Sequence, residues 1–242
     1  MRERFAAAEA AAAHVFVATL DASVTIDGTD GHHLQRVRRL RSGERVTAAD
    51  GAGYWRRYVV AGVEPGRLLL EAETDVAVDP EPAPAVAVAV SLTKGAKLEV
   101  VVAQLTEVGV ARIEPVRARR SVVRWDGTRA LAATQRLTTV AREAAMQSRR
   151  ARIPVVTPVA DLADLAGRPG VVIAARDGLP VAAIPLPPDG TWTVVVGPEG
   201  GFDPGEVEAL APMASLALSR YVLRAQTAPV AAAALLVSRG SA

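Results

Sequence analysis

The fold of this chain is decided by residues 194–202, which read VVVGPEGGF. The first half is a short run of valines without polar alternation, which indicates a strand buried on both faces of a sheet. The second half is a glycine-rich turn, which permits φ > 0 and lets another molecule approach the main chain closely. Asp203, Pro204 and Glu206 follow as the N-cap, first-turn proline and capping box of a helix. Strand, tight loop and helix in this order are typical of ligand loops in parallel α/β sheets, and a purely structural turn is the alternative.

The composition is that of a globular protein without a membrane segment. The chain has 242 residues, of which 50% are hydrophobic and 22% are charged, so it accommodates one large domain or two small ones. No apolar run approaches the ~20 residues of a membrane helix, and the alanine-rich start contains Glu9, which makes it a poor signal peptide. The lack of cysteine excludes disulfides, zinc-thiolate sites and thiol catalysis. We expect a cytoplasmic protein with no membrane partner.

Residues 1–79 are predicted to form a small β-barrel. Short strands at 14–20, 23–26, 45–48, 54–60 and 67–73 are separated by turns, as in small barrels. Residues 31–40 have helical spacing, and Gly43 is predicted to be the C-cap of that helix. Arginines and aromatic residues are interleaved in this module, which favours a nucleic-acid surface over a merely solvated face. The arginines are Arg36, Arg38, Arg39, Arg41, Arg45, Arg56 and Arg57.

A change of pattern separates this module from the rest of the chain. Residues 80–84 (PEPAP) are predicted to be a stiff linker, because alternating prolines suit neither a helix nor a central strand. In residues 85–242, strands at 85–92, 110–116, 171–175, 191–196 and 215–219 alternate with helical segments. This alternation predicts a mostly parallel sheet covered by helices. The last helix, at 229–238, is nearly all apolar and is expected to be buried in the fold or at a subunit interface.

Residues 112–152 are the most basic part of the chain, with eleven arginines against three acids. An anionic partner explains this excess economically, and a solvated helix face is the alternative. The sequence has no Walker loop, no Rossmann fingerprint, no Ser-His-Asp set and no metal cluster. Its histidines all lie in the first module. The second domain therefore favours a reaction in which the cosubstrate is already activated and the protein positions and polarises it, such as methyl transfer from a sulfonium donor.

Five sequence blocks occur in order along nearly the whole chain. They are residues 31–40 (GHHLQRVRRL), Lys94 with 104–110 (QLTEVGV), 142–148 (REAAMQS) with Arg150 and Pro154, 196–202 (VGPEGGF), and 218–228 (LSRYVLRAQTA). Together they resemble the RsmE family of 16S ribosomal RNA uracil-N3 methyltransferases. The resemblance implies a PUA-like N-terminal barrel that binds RNA and a C-terminal SPOUT domain with a trefoil knot. It also implies S-adenosylmethionine as cosubstrate without a metal, a homodimer formed through the C-terminal domain, and 16S rRNA or the small ribosomal subunit as partner.

The resemblance also implies which residues bind the donor and the RNA. The donor is expected at three loops, with the contact residues Ala174, Ala175, Gly197, Pro198, Glu199, Gly200, Gly201, Leu218, Ser219, Tyr221, Val222 and Leu223. RNA contacts are expected from His33, Arg36, Arg38, Arg39, Lys94, Arg142, Gln147 and Arg150. For catalysis we select Arg224, whose cation would stabilise a uracil anion, and Glu199. Glu199 accepts the proton, binds the donor's amino group, or only stabilises the start of a helix.

The chain departs from the family pattern at several positions. The family usually has an acid at Met146, a glycine at Ser219, a glutamate at Gln226 and a leucine at Arg38. Because Met146 and Gln226 remove two carboxylates, an RNA-binding SPOUT-like protein without methyltransferase activity is the main alternative. A metabolite-binding α/β protein whose arginines only confer solubility is the third hypothesis.

Overall fold

The structure is a computed structural model that describes residues 11–36, 38–93, 97–121, 123, 125 and 127–240. The predicted RNA contact Lys94 and the side chain of His33 lie outside this description. The chain forms two compact units, Met1–Glu81 with Ala145–Ile153, and Pro82–Ala144 with Pro154–Ala242. The first division falls within the proline-rich stretch. The segment Ala145–Ile153 belongs to the first unit, although its place in the sequence assigns it to the second domain.

In its described residues, the first unit contains a six-stranded sheet and the helix Gly28–Arg36. Its strand order is β1-β3-β4-β5-β2, with β6 paired to β4. The β1–β3 pair is parallel, and the other described pairs of this sheet are antiparallel. The core is apolar and includes Val46, Tyr58, Val60, Leu68 and Leu70. The elements are β1 Ala13–Phe16, β2 Ser23–Ile26, α1 Gly28–Arg36, β3 Arg45–Ala49, β4 Tyr54–Glu64, β5 Arg67–Ala72 and β6 Ala77–Val78.

Helix α1 is shorter than its apolar spacing predicts, and the prediction that Gly43 caps it is wrong. The helix ends at Arg36, and Arg39 has a left-handed φ of 54°. The backbone N–H of Leu40 then reaches back to the carbonyl oxygen of Leu34 at 3.3 Å, so the chain turns away before residue 40. Gly43 instead donates its N–H to the carbonyl oxygen of Val60 at 2.8 Å. Hydrophobic periodicity continues through Leu40 because that side chain is still buried in the core.

The segment Ala145–Ile153 packs against the strands of the first unit. Met146 and Ile153 contact a small cluster that contains Phe16 and Ala49. The His14 ring is buried, with Nε2 at 2.9 Å from the Arg150 carbonyl oxygen and Nδ1 near the Thr47 hydroxyl. Met146 is therefore an apolar packing residue, which gives a structural reason for the lack of an acid at that position.

The second unit is a parallel sheet of seven strands, as the alternating pattern predicts. Its strand order is β10-β8-β7-β12-β11-β13, with β9 paired to β8. All residues of β7 and nearly all of β12 are buried, so both faces at the centre of the sheet are covered. The strands are β7 Ala85–Ser91, β8 Arg112–Arg117, β9 Val155–Val156, β10 Ala160–Asp161, β11 Val171–Leu179, β12 Thr191–Val196 and β13 Ala214–Leu216. The helices are α2 Leu98–Val108, α3 Gly127–Gln147, α4 Pro204–Leu210 and α5 Thr227–Gly240.

The ends of the helices follow from local sequence. Helix α2 stops at Gly109, which adopts φ 110° and closes the helix with its N–H on the carbonyls of Leu105 and Thr106. Helix α5 buries Pro229, Ala232, Ala233 and Leu236 and packs on α2, β7 and β12. This apolar helix is thus at least partly buried within the fold. Across the described residues, none of the helices has the length and hydropathy needed to cross a bilayer.

Candidate functional site

The glycine-rich turn at residues 197–201 follows directly from the carboxyl end of β12. The N–H of Gly201 donates to the carbonyl oxygen of Pro198 at 2.8 Å, and Gly201 has φ 67°. A Cβ at Gly197 would lie 3.0 Å from the ring of Phe202, so a larger residue would push that ring. Asp203 then caps α4 and forms the predicted capping box with Glu206. The turn is therefore fixed by a ring on one side and by a capped helix after it.

A second loop interrupts strand β11. The strand pairs with β13 through Ala174 and again through Leu179, with a bulge between them. Gly178 lies in this bulge, and a Cβ there would stand 2.6 Å from backbone atoms of Leu216 and Ala217. Only glycine permits the two main chains to come this close. The strand is predicted to end at residue 175, but β11 continues to Leu179, where it pairs again with Leu216 of β13.

The third loop follows β13, which ends at Leu216 rather than at the predicted residue 219. The Ser219 hydroxyl accepts the N–H of Tyr221 at 3.1 Å, which shapes the turn. Ser219 is absent from the residues with positive φ, so serine replaces the family's glycine without backbone strain. Tyr221 and Val222 are 66% and 77% exposed, and the Arg220 guanidinium lies 4.7 Å from the centre of the Tyr221 ring.

The three loops enclose one cavity of about 220 Å³. Every residue that the sequence assigned to the donor lines it, except Glu199 and Gly200. Its wall also contains Arg176, Val196, Phe202 and Ala228, which the sequence analysis did not select. Arg176 and Val196 directly adjoin predicted residues, so a wider window around each loop would have found them. Ala228 lies in the first turn of α5, and only the fold shows that it reaches this wall.

A second cavity of about 440 Å³ shares the Gly197–Pro198 and Val222–Leu223 walls with the first. Its lining also includes the two residues selected for catalysis, Glu199 and Arg224, together with Gln226. Glu199 and Arg224 are exposed. Within the described part of the chain, neither of these two side chains has an ion-pair partner. The Arg224 carbonyl oxygen accepts the N–H groups of Thr227 and Ala228 at 2.9 and 3.0 Å. The backbone of Arg224 thereby starts α5, and the same residue lines the second cavity.

Several arginines of the basic region are used inside the second unit. Arg117 pairs with Asp161 at 2.8 Å, and Arg136 pairs with Glu99 at 2.8 Å. Arg120 donates to the Gly200 carbonyl oxygen within the glycine-rich turn, and Arg119 contacts Asp203 and Glu206 at the start of α4. At least part of the arginine excess of residues 112–152 therefore forms contacts within the second unit, and these arginines do not require an anionic partner to explain them.

The predicted RNA-contact residues fall into two groups. Arg36, Arg38 and Arg39 are exposed at the end of α1 and just after it, whereas Arg45 and Arg57 pair with Glu73. The second group is at the end of α3 and in the segment after it. In that group Gln147 is exposed, and Arg142 and Arg150 are partly buried. None of the described residues forms a cluster of histidine and acidic side chains that would hold a metal ion.

Known families and proteins match this chain over most of its length. The family described as an RNA methyltransferase domain matches residues 80–237, and the family described as an RNA methyltransferase PUA domain matches residues 26–73. A Mycobacterium bovis protein named ribosomal RNA small subunit methyltransferase E is 35% identical over 222 residues, which cover 87% of this chain and 84% of that protein. The Bacillus subtilis protein of the same name is 29% identical over 223 residues, with coverages of 85% and 86%.

A solved structure agrees with these matches. The crystal structure of ribosomal RNA small subunit methyltransferase E from Neisseria gonorrhoeae bound to S-adenosyl methionine superposes with a TM-score of 0.81 at 26% identity. The superposition covers 94% of this chain and 97% of the Neisseria gonorrhoeae chain. Three findings agree: the first unit matches a PUA domain, the second unit is a parallel α/β sheet, and the relatives that match most of the chain share one name. The chain belongs to the ribosomal RNA small subunit methyltransferase E family, the RsmE family.

Proposed function

We propose that this protein transfers the methyl group of S-adenosylmethionine to N3 of a uridine in 16S ribosomal RNA. The observation that carries the proposal is the convergence of three carboxyl-end loops on one cavity, with Glu199 and Arg224 on the wall of the adjoining cavity. The relative from Neisseria gonorrhoeae binds S-adenosyl methionine on the same fold.

The residues of the first cavity fit such a donor. Its wall is mainly apolar and rich in main-chain atoms. A Cβ added to Gly201 would meet no heavy atom within 4 Å, so the space next to this residue is open. Main-chain groups of residues 197–201 and 218–223 would bind the adenine, while the apolar wall would cover the ribose. Arg176 is the one charged side chain among the described residues of this wall. It would pair with the carboxylate of the donor's amino-acid end, because arginine suits planar carboxylates.

The chemistry requires little more from the protein than position and charge. S-adenosylmethionine supplies an activated methyl group when bound. Uracil N3 carries a proton at neutral pH, and N3 must lose it to form the new bond to carbon as the carbon–sulfur bond breaks. Arg224 would stabilise the negative charge that develops on the uracil oxygens. Glu199, which lines the same cavity, would accept the N3 proton directly or through water.

The remaining assignments complete the proposal. Residues 1–79 act as the PUA-like RNA-binding domain, 80–84 as the linker, and 85–242 as the SPOUT methyltransferase domain with a trefoil knot. His33, Arg36, Arg38, Arg39, Lys94, Arg142, Gln147 and Arg150 contact the RNA. The enzyme acts in the cytoplasm as a homodimer that forms through its C-terminal domain. The exposed side chains of Tyr221 and Val222 support this assembly, because a second subunit would cover them.

Mass spectrometry of small-subunit rRNA tests the proposal. RNA from cells that lack this protein should lose one 3-methyluridine, and the wild-type gene should restore it. The Arg224→Ala variant should restore little of it at equal protein levels. An unchanged 3-methyluridine content would contradict the proposal. RNA binding by the purified protein without any methyl incorporation would favour the non-catalytic alternative.

A further inference from the structure

We propose that Arg120, which lies outside both cavities, is a positioning residue for the methyl donor. The inference rests on the proposed function, because it concerns the turn that would bind S-adenosylmethionine. Arg120 follows strand β8 and is 80 residues from Gly200 in sequence. Its Nη1 donates to the carbonyl oxygen of Gly200 at 2.9 Å. It therefore holds the centre of the glycine-rich turn from a distant part of the chain.

The turn has two distinct sides. Gly197, Pro198 and Gly201 line the donor cavity, whereas Gly200 does not. A Cβ placed on Gly200 would lie 3.6 Å from Cβ of Arg120 and 3.7 Å from its Cδ. The aliphatic stem of Arg120 thus packs against the side of the turn at Gly200, and its guanidinium ends on the carbonyl of that residue. This contact explains why Gly200, a predicted donor contact, is absent from the cavity wall.

The neighbouring residue supports the same segment. Arg119 Nη1 donates to Asp203 Oδ1 at 3.2 Å, and the Arg119 backbone N–H donates to Glu206 Oε1 at 2.6 Å. Asp203 and Glu206 also form the capping box that starts α4. Residues 119 and 120 therefore fix the turn and the helix start together, on a short segment that follows a buried strand of the sheet.

A glycine-rich turn needs such support. Glycine has the largest backbone freedom of any residue, so an unsupported turn would be ordered only when the donor binds, and that ordering would weaken binding. A charge-assisted hydrogen bond to one carbonyl orders the turn in advance. The Arg120 side chain is 49% exposed, so solvent reduces the strength of the contact. We expect an effect on donor affinity of about tenfold, the low end for a hydrogen bond to a charged group.

The test uses three variants of the full chain and titration calorimetry with S-adenosylmethionine. Arg120→Met keeps the aliphatic stem and removes the donors, and Arg120→Lys keeps the stem and one donor group. Arg129→Met is the matched control, because Arg129 is exposed on α3. We expect Kd for the donor to rise about tenfold in Arg120→Met, to recover most of the way in Arg120→Lys, and to stay at the wild-type value in Arg129→Met. Thermal midpoint and RNA affinity should stay close to wild type in all three.

Two results would overturn the inference. One is a donor Kd in Arg120→Met within twofold of wild type. The other is a loss of donor affinity matched by equal losses of RNA affinity and thermal stability, which would indicate general disruption. If the wild-type protein itself does not bind S-adenosylmethionine, the proposed function fails and the inference fails with it. If the wild type binds the donor and Arg120→Met binds equally well, only the inference fails.

Discussion

At the scale of single residues, two glycines show how closely the main chain is packed around the candidate site. A Cβ added at Gly178 would lie 2.6 Å from backbone atoms, whereas a Cβ added at Gly197 would lie 3.0 Å from the Phe202 ring. A ring can rotate or shift by a few tenths of an ångström, but two paired strands cannot move apart without losing hydrogen bonds. The same added methyl group should therefore have unequal effects at the two positions.

We predict that Gly178→Ala destabilises the protein more than Gly197→Ala does. Overpacking of a rigid site costs roughly 1–3 kcal/mol, and we expect Gly178→Ala to lie at or above the top of that range. Urea unfolding of both variants measures the difference. Both should also bind S-adenosylmethionine more weakly, because each glycine shapes a loop of the cavity. Equal unfolding free energies would contradict the close backbone approach at Gly178.

Arg224 should affect chemistry rather than donor binding. Arg224 lines the second cavity and is absent from the wall of the first. We predict that Arg224→Ala lowers kcat by ~10²–10³, the usual effect of removing one donor to a developing anion, while Kd for S-adenosylmethionine changes little. Single-turnover methylation with saturating donor measures the rate. Arg220→Ala is the control, since Arg220 stacks on Tyr221 and lines neither cavity. A rate loss as large in the control would remove the special role of Arg224.

Sequence patterns reach some residues of the site and not others. Gly197 and Gly201 lie in a glycine-rich turn after a predicted strand, whereas Val222 was expected only from the family resemblance, and all three line the first cavity. Arg120 could not be predicted as a neighbour of Gly200, because the contact joins distant segments. Its charge suggested an external anion, whereas the structure uses it on an internal carbonyl. Charge counting cannot separate these two uses of an arginine.

At the scale of elements, the end of α1 shows why helix boundaries are hard to predict. Apolar spacing continues through Leu40, but the left-handed residue that ends the helix region is an arginine, Arg39, with φ 54°. Glycine is the usual residue in this conformation. The sequence does not indicate that an arginine adopts this conformation, and the prediction of Gly43 as the C-cap of α1 is therefore wrong.

This geometry gives a prediction with a definite sign. Arg39→Gly should stabilise the protein by about 1 kcal/mol, because glycine adopts the left-handed region without the steric cost of a side chain. Arg38→Gly, one position earlier and without a positive φ, should be neutral or destabilising. Thermal unfolding of the two variants gives the comparison. Arg39→Gly should also weaken RNA binding if Arg39 contacts phosphate. Destabilisation by Arg39→Gly equal to that by Arg38→Gly would contradict the geometry.

Strand β4 contributes a buried tyrosine whose ionisation is coupled to folding. Tyr58 is fully buried and donates its hydroxyl to the Asp21 carbonyl oxygen at 2.8 Å. Burial raises the pKa of Tyr58 above its usual value, although nearby Arg56 opposes that shift. Above a pH of about 10, the unfolded chain therefore releases this proton while the folded chain retains it. Folding stability due to Tyr58 is complete below that pH and falls as pH rises.

Comparison with Tyr58→Phe isolates this effect. At pH 8 the variant should be less stable by about 1 kcal/mol, the value of a typical hydrogen bond. The difference should shrink between pH 9.5 and pH 11, a window set by the usual tyrosine pKa of about 10. Urea unfolding at a series of pH values measures it. A difference that stays constant over this window would mean that Tyr58 does not ionise differently in the two states.

At the scale of the whole molecule, the sequence predicts the alternating strands and helices of the second unit. It does not predict that the segment Ala145–Ile153 belongs to the first unit. Val194–Val196 and Ala85–Ser91 are apolar runs whose burial could be predicted because central parallel strands are covered on both faces. The packing of Met146 and Ile153 with the first unit could not be predicted, because helical spacing continues through the end of α3 without a break in pattern. Local periodicity reports which face is buried and not which unit buries it.

The account depends on one site, the cavity enclosed by residues 174–176, 197–201 and 218–223. The most direct measurement is a crystal structure of this protein grown with S-adenosylmethionine. The account predicts that the donor lies between these three loops, with its adenine on main-chain groups, its carboxylate near Arg176 and its methyl group facing Arg224. A donor bound elsewhere, or loops with no bound donor at millimolar concentration, would contradict it.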